Sequence, residues 1–178
     1  MTSDEAGSTL ENFFVGLTEF VFHSQLGVAD TQMVDYVSEL LVRFTRLDNL
    51  QKVRQLDGRP ATEVVTLVSE AEQRIGTARR EVHRHIGDFT LFWSGVYPEA
   101  LREMQAADKK DQFVNYCAQG KRAYRIASSI ASDEKQATSE LLRRMSEQFE
   151  MCAYGLREIR REWERRDEDG SGFTPLLI

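Results

Sequence analysis

One stretch of the chain decides the fold: residues 80–99, with the sequence REVHRHIGDFTLFWSGVYPE. Apolar residues recur in it at intervals of three and four, the spacing of the buried face of an α-helix; they are Val82, Ile86, Phe89, Trp93 and Val96. Towards its end the other faces become apolar as well, which is typical of a helix enclosed by its neighbours. Pro98 disfavours helical geometry in the residue before it. The sequence therefore predicts a central helix near residues 80–97.

Small residues form a strip on the same predicted helix, at Gly87, Thr90 and Ser94. A glycine inside a helix costs about 1 kcal/mol relative to alanine, but it lets a second helix approach closely. The segment 116–127 alternates small and aromatic residues, so it is the predicted neighbour.

Length and composition favour one helical domain. The chain has 178 residues, of which 41% are hydrophobic and 29% charged, enough for one domain with a real core. Its three prolines and eleven glycines are too few for a loop-rich or all-β protein. We therefore predict an all-α, single-domain bundle of roughly five to seven helices. The domain is expected to span residues 8–166, between a disordered N-terminus (1–7) and a flexible C-terminal tail (167–178).

Charge and cysteine usage limit the partners and the compartment. The net charge of −6 gives no general positive field for nucleic acid and is repelled by anionic lipid. No apolar run approaches the roughly 18 residues of a membrane span, and the start, MTSDEAGST, does not resemble a secretory signal. Cys117 and Cys152 lack C-x-x-C spacing and are interpreted as reduced thiols. These features predict a cytoplasmic protein with no nucleic-acid and no membrane partner.

One group of basic residues is a local argument for nucleic-acid binding; it comprises Arg74, Arg79, Arg80, His83 and Arg84. Glutamates lie among these residues, and the sequence has no helix-turn-helix pattern with exposed recognition residues. The group is therefore interpreted as part of a helical surface of mixed charge.

Capping patterns mark the starts of the first two helices. Ser8 and Glu11 form a capping box, so the first helix is predicted to begin there. Asp30 is a suitable cap for a second helix, whose apolar spacing continues to about Leu47.

Similar signals mark the next helices. A third is predicted to start near Pro60, because proline suits the first helical turn, with Gly76 as the break before the central helix. Asp111 is predicted to cap a helix that carries Phe113 and Tyr124 on one face.

The last predicted helix begins near Thr138 or Ser139 and has the most regular pattern. Its apolar residues alternate three and four apart over about three heptads, up to Trp163. Trp163 lies beyond the part of the helix that the domain needs to cover, and bundles with an extended charged final helix often pair. The sequence therefore predicts a homo-oligomer that associates through this helix.

Three segments carry recognisable motifs. Residues 87–99 read G-D-x-x-L-F-x-x-G-x-Y-P-E, residues 36–44 read YVSELLVRF, and residues 116–124 read Y-x-x-x-G-x-x-A-Y. They resemble segments of an uncharacterised family of bacterial all-helical proteins, although Asn115 and Gln119 depart from its pattern. The resemblance implies a helical fold and a bacterial origin. It implies no catalytic residue, because the family has no assigned activity.

Asp88 and Tyr124 both lie in these motifs, and Asp88 is the centre of the candidate polar site. Asp88 stands where the central helix becomes most apolar, and a buried carboxylate without partners would cost several kcal/mol. The helix of residues 116–124 is the expected source of these partners. Tyr116 and Tyr124 are two helical turns apart and could face one neighbour, while Lys121 or Arg122 could supply the charge.

Known catalytic and metal-binding patterns are missing from the sequence. It has no H-E-x-x-H, G-x-S-x-G, P-loop or dinucleotide-binding motif, and no E-x-x-H pair of a di-iron bundle. Glu81, His85 and Asp88 share one helix face and could offer metal ligands, but such residues on a charged helix end are more often solvated. We therefore predict no catalytic residue, no metal and no cofactor.

Two functions remain open. The first is a non-enzymatic helical interaction or scaffold module that associates with itself or with an unidentified protein partner. The second is a helical ligand-binding protein or enzyme with a site near Asp88 and Tyr124.

Overall fold

Eight α-helices make up the part of the chain that the structure, a computed structural model, describes: residues 3–44 and 52–169. In chain order the helices are α1 (Ser3–Glu19), α2 (Thr31–Phe44), α3 (Val64–Glu72), α4 (Gly76–Val96), α5 (Leu101–Met104), α6 (Tyr116–Ser129), α7 (Ser139–Glu147) and α8 (Phe149–Glu168). A π-helical segment, Phe20–Gln25, extends α1, and a 3₁₀ turn, Pro98–Ala100, precedes α5. The predicted all-α, single-domain fold is confirmed. The eight α-helices of the described residues exceed the five to seven predicted, because the last helix is divided in two and α5 is a short helix of four residues. Among the described residues, no helix has the length and apolar character that a membrane crossing requires.

The predicted central helix is α4, and it lies in the middle of the bundle. It packs against α3, α6 and α8, and it contacts α2. Its apolar stripe is buried except for Trp93, which is half-buried. Leu91 and Phe92, on the other faces, are buried as well, which explains why the sequence is apolar nearly all round. The helix ends at Val96, two residues before Pro98, as predicted.

The small residues of α4 allow close packing. A Cβ atom on Gly87 would lie 2.6 Å from ring carbons of Tyr124 on α6. A Cβ atom on Gly120 of α6 would collide with the Thr90 hydroxyl and with the ring of Phe149. Any side chain larger than that of glycine therefore has no room at these two positions. The predicted close approach of the two helices is confirmed.

We expect Gly120→Ala to lower the free energy of unfolding by about 1–3 kcal/mol, because overpacking a tight core forces its neighbours to move. The matched control is Gly16→Ala in α1, where an added Cβ meets nothing within 4 Å. This control should stabilise the protein by roughly 0.5–1 kcal/mol, since alanine is the better helix former. Urea unfolding of both variants measures the difference, and equal stabilities would contradict the close contact.

Two predicted helix starts are observed with their caps. Asp30 Oδ1 accepts a hydrogen bond from the Met33 amide at 3.1 Å at the start of α2. Thr138 Oγ1 accepts one from the Leu141 amide at 3.2 Å at the start of α7. Gly76 separates α3 from α4, as predicted, and its φ of 57° is a conformation that glycine adopts easily. The predicted end of the second helix near Leu47 lies outside the described residues.

The first helix begins earlier than predicted. Its start is Ser3 and not Ser8. The segment between them contains no proline to stop a helix from continuing towards the N-terminus, so the capping-box pattern does not act as a boundary. Of the residues predicted to be disordered, 1 and 2 lie outside the described part of the chain.

The predicted start of the third helix at Pro60 is wrong. Pro60 pairs with Arg54 in an isolated antiparallel bridge, and Gly58 (φ 84°) completes the turn between them. Helix α3 begins at Val64, where the cap comes from a distant residue. Asp111 accepts hydrogen bonds from the amides of Val64 and Val65 at 2.8 and 2.9 Å.

The predicted cap of α6, Asp111, is also wrong, because this residue caps α3. Asp111 is occupied by α3, and the cap of α6 is Asn115, whose side chain accepts a hydrogen bond from the Ala118 amide at 2.9 Å. Phe113, predicted on the buried face of that helix, precedes it and is 91% exposed.

The last predicted helix is bent into α7 and α8. The backbone of Gln148 departs from helical geometry (φ −105°, ψ 21°), but the hydrogen bonds from Gln148 to Arg144 and from Cys152 to Gln148 are kept. Trp163 does not extend beyond the domain as predicted. It is 6% exposed and packs edge-on against Phe14 of α1, with ring centroids 5.8 Å apart. The reason for expecting association through this helix is therefore removed. Most of the predicted flexible tail, from residue 170 onwards, lies outside the described residues.

Candidate functional site

Asp88 is buried, with 1% of its surface exposed, and its carboxylate has three partners. Oδ1 accepts hydrogen bonds from the hydroxyl groups of Tyr36 at 2.6 Å and Tyr124 at 2.7 Å. Oδ2 accepts a hydrogen bond from Arg43 Nη1 at 3.0 Å and forms an ion pair with it. The predicted burial of Asp88 and its predicted contact with Tyr124 are both observed.

Three helices meet at this carboxylate. Helix α4 carries Asp88, α6 carries Tyr124, and α2 carries Tyr36 and Arg43, which are seven residues apart and therefore face the same side. All partners of Asp88 were expected on α6, but two of them lie on α2. Both are in the segment YVSELLVRF, one of the three motif segments of the sequence.

A chain of polar contacts extends from this site to the loop before α7. Arg84 Nε donates a hydrogen bond to the Tyr36 hydroxyl at 3.1 Å, and Arg84 Nη1 pairs with Glu134 at 2.6 Å. Arg80 is fully buried, pairs with the second oxygen of Glu134 at 3.0 Å and donates to the Ala137 carbonyl. These two arginines of the basic group therefore hold the loop in place and are not exposed for nucleic acid.

The other predicted site residues lie elsewhere. Tyr116 donates its hydroxyl hydrogen bond to Asp111 at 2.6 Å, and Lys121 pairs with Glu150 on the surface at 2.7 Å. Arg122 is exposed on α6 and lines a different pocket, on the side that faces α3. Of the residues predicted from α6, only Tyr124 reaches Asp88.

Glu81 and His85 do not converge with Asp88. Glu81 lies near Lys52 and Arg80, each at 3.7 Å, whereas His85 stacks on Phe44 with ring centroids 6.1 Å apart. Within residues 3–44 and 52–169, no group of three or more His, Cys, Asp or Glu side chains is arranged to hold a metal ion.

Electrostatics keep Asp88 ionised and its tyrosines protonated. Burial raises the pKa of Asp88, but the charges of Arg43 and Arg84 and the two tyrosine hydrogen bonds outweigh burial and hold this pKa below its usual value. Burial and the charge of Asp88 raise the pKa of Tyr36 and of Tyr124. A general acid or base works best with a pKa near the operating pH. None of these groups is shifted towards neutrality, so the arrangement suits a structural tie between helices.

Comparisons of the chain with protein-family models, with curated proteins and with solved structures found no significant match. The three motif segments of the sequence meet in this structure. Residues 36–44 supply Tyr36 and Arg43, residues 87–99 supply Asp88, and residues 116–124 supply Tyr124. Their meeting point is the buried carboxylate.

Proposed function

We propose that this protein is a non-enzymatic helical interaction module of the bacterial cytoplasm that associates with a second copy of itself. The observation that supports the proposal is a set of exposed apolar side chains around α3. Six large apolar side chains are exposed in the described part of the chain. Four of them lie on α3 or in the segments next to it: Leu56, Val65, Ile75 and Phe113. We call them the α3 surface.

The α3 surface is held together by contacts between its segments. Leu56 and Val65 line one open groove beside α3. Arg74, next to Ile75, donates a hydrogen bond to the Arg54 carbonyl at 3.1 Å, which fixes the end of α3 to the loop that carries Leu56. Asp111 fixes the loop that carries Phe113 to the start of α3. Leu56 and Val65 therefore share one groove, while Ile75 and Phe113 lie near the two ends of α3. Exposed apolar side chains that gather in one region are typical of an interface.

A second copy is the partner that the charges around this groove favour. The groove's charged lining residues are Asp57, Glu70 and Lys110. In a two-fold symmetric dimer the same patch meets itself, so a patch that carries both signs of charge can complement its own copy. A groove of one sign would instead repel its copy and favour a partner of opposite charge.

The alternative, a ligand site or an enzyme at Asp88 and Tyr124, has less support. Both carboxylate oxygens of Asp88 already accept hydrogen bonds from protein groups, and the residue is enclosed by three helices. The bacterial origin follows from the resemblance. The reducing compartment is supported by Cys117 and Cys152, which are both free thiols.

Light scattering at micromolar concentration tests the proposal. We expect a mass above that of the 20.5 kDa monomer for the parent protein. The double variant Leu56→Asp/Ile75→Asp should weaken the dimer more than roughly tenfold, because each large apolar side chain contributes about 1.5–3 kcal/mol when buried. Both positions are exposed, so the folded monomer should keep its stability to within about 0.5 kcal/mol.

Tyr154→Asp is the control. Tyr154 is half-exposed on α8, outside the α3 surface, and the substitution adds one of the two negative charges that the double variant adds. This variant should associate like the parent. A monomeric parent, or equal loss of association in the control, would contradict the proposal.

A further inference from the structure

A small pocket lies where α3, α4 and α6 meet, on the outer side of the central helix. Its volume is about 40 Å³, enough for roughly three water-sized groups. Its apolar lining comes from the facing sides of the three helices and comprises Val68, Ile86, Ala123 and Ile126. Its polar lining comprises Glu72, Arg79, His83, Gln119 and Arg122. Neither the Asp88 site nor the α3 surface uses these polar side chains.

His83 is the unusual residue of this pocket. It is 5% exposed, and neither of its ring nitrogens has a hydrogen-bond partner among the described residues. Buried polar groups are bonded in the large majority of cases, so each exception needs an explanation. Arg79 also lines this pocket, and its Nε is a second buried atom without a hydrogen-bond partner in the described part of the chain.

The charges around His83 are mainly positive. Burial and the nearby guanidinium groups of Arg79 and Arg122 lower the pKa of His83 to about 4. Among the described residues, Glu72 is the one carboxylate of the lining, and it is exposed on α3. A cation entering this pocket would be repelled by the two arginines. An anion would reduce their mutual repulsion and would accept hydrogen bonds from His83 and Arg79 Nε, which have no partner among the described residues.

We propose that this pocket binds the oxyanion group of a small ligand, a carboxylate or a phosphate, between Arg79, Arg122 and the imidazole of His83. Guanidinium groups suit this role because their planar donors match the oxygens of both anions. The Gln119 amide adds a neutral donor at the rim. The pocket volume limits the enclosed part of the ligand to its charged group, so the rest of the ligand extends to solvent.

Inorganic phosphate and acetate are the two probes, each compared with chloride at equal ionic strength. Binding is followed by NMR through the ring resonances of His83, assigned with His83→Gln. We expect one or both probes to shift these resonances in a saturable way and to raise the pKa of His83, because a bound anion favours the charged imidazole. The probe that binds more tightly identifies the group as phosphate or carboxylate.

Arg122→Gln should weaken binding by about tenfold or more, since a charge-assisted hydrogen bond is lost. The matched control is Arg125→Gln, an exposed arginine on the same helix that does not line the pocket. It removes the same charge and should bind the probe like the parent. Both arginines are exposed, so both variants should fold.

Two results would overturn the proposal. The first is that the His83 resonances respond to phosphate and acetate no more than to chloride. The second is that Arg125→Gln weakens binding as much as Arg122→Gln, which would show a general effect of charge and not a site.

Discussion

Replacing Asp88 by alanine should lower the free energy of unfolding by about 3–5 kcal/mol, the loss expected when one partner of a buried ion pair is removed. The variant would leave the partly buried guanidinium of Arg43 without the carboxylate of Asp88. It would also leave the hydroxyl groups of Tyr36 and Tyr124 without their acceptor. Urea unfolding measures this loss. The slope of the unfolding free energy against urea concentration should be the same for the variant and the parent.

Asp88→Asn separates charge from shape. Asparagine keeps an acceptor for the tyrosines but does not neutralise Arg43, so we expect an intermediate loss of stability. The control is Glu147→Ala, which removes a carboxylate paired with Arg143 on the surface of α7. Exposed pairs contribute about 0–1 kcal/mol, so this control should stay close to the parent. If Asp88→Ala were as stable as the parent, the structural role would be refuted and a functional role would become the better explanation.

Acid should destabilise the protein by about 4 kcal/mol between neutral pH and pH 5, through two buried histidines. Burial, with nearby cations, lowers the pKa of His83 and of His85 from 6.5 to about 4. In this range the unfolded chain binds protons that the folded protein does not. Stability is therefore complete above pH 6.5 and is lost as the pH falls towards 4, by about 2 kcal/mol per histidine at pH 5. Asp88, whose pKa is lowered from 3.8, contributes its own loss only at lower pH.

Unfolding free energies of the parent, His83→Gln and His85→Gln across this range test the expectation. Each variant should lose about half of the extra pH dependence, whatever its stability at neutral pH. The buffers should contain no carboxylate or phosphate, because an anion bound beside His83 would itself change the pH dependence. Variants that keep the full slope would show that other groups cause it.

The sequence predicted what depends on local spacing. The periodic apolar residues of α4 identified the central helix, and the position of Asp88 among them indicated its burial. The partners of Asp88 on α2 could not be found in this way, because Tyr36 and Arg43 lie 52 and 45 residues away in the chain. Spacing shows which face a residue occupies, but it does not show which helix covers that face.

The predictions of helix caps and of exposed side chains were wrong for a related reason. A carboxylate before a helix has the same local pattern whether it caps that helix or a distant one, as Asp111 does for α3. Trp163 was expected at an interface between copies because it lies near the end of the last helix, beyond the part that the domain was expected to cover. Its partner is Phe14 of α1, at the other end of the chain. The sequence also gives no sign that the ring nitrogens of His83 have no hydrogen-bond partner among the described residues. This depends on the pocket that α3, α4 and α6 form together.

The long-range cap at Asp111 also couples the local opening of two segments. Helix α3 has nine residues, which is too short to be stable alone in water. Its first amides, at Val64 and Val65, are held by a carboxylate in the loop before α6. We therefore expect these amides to exchange with solvent only when the loop detaches. The start of α3 and this loop should then open as one cooperative unit, despite the 47 and 46 residues between the bonded groups.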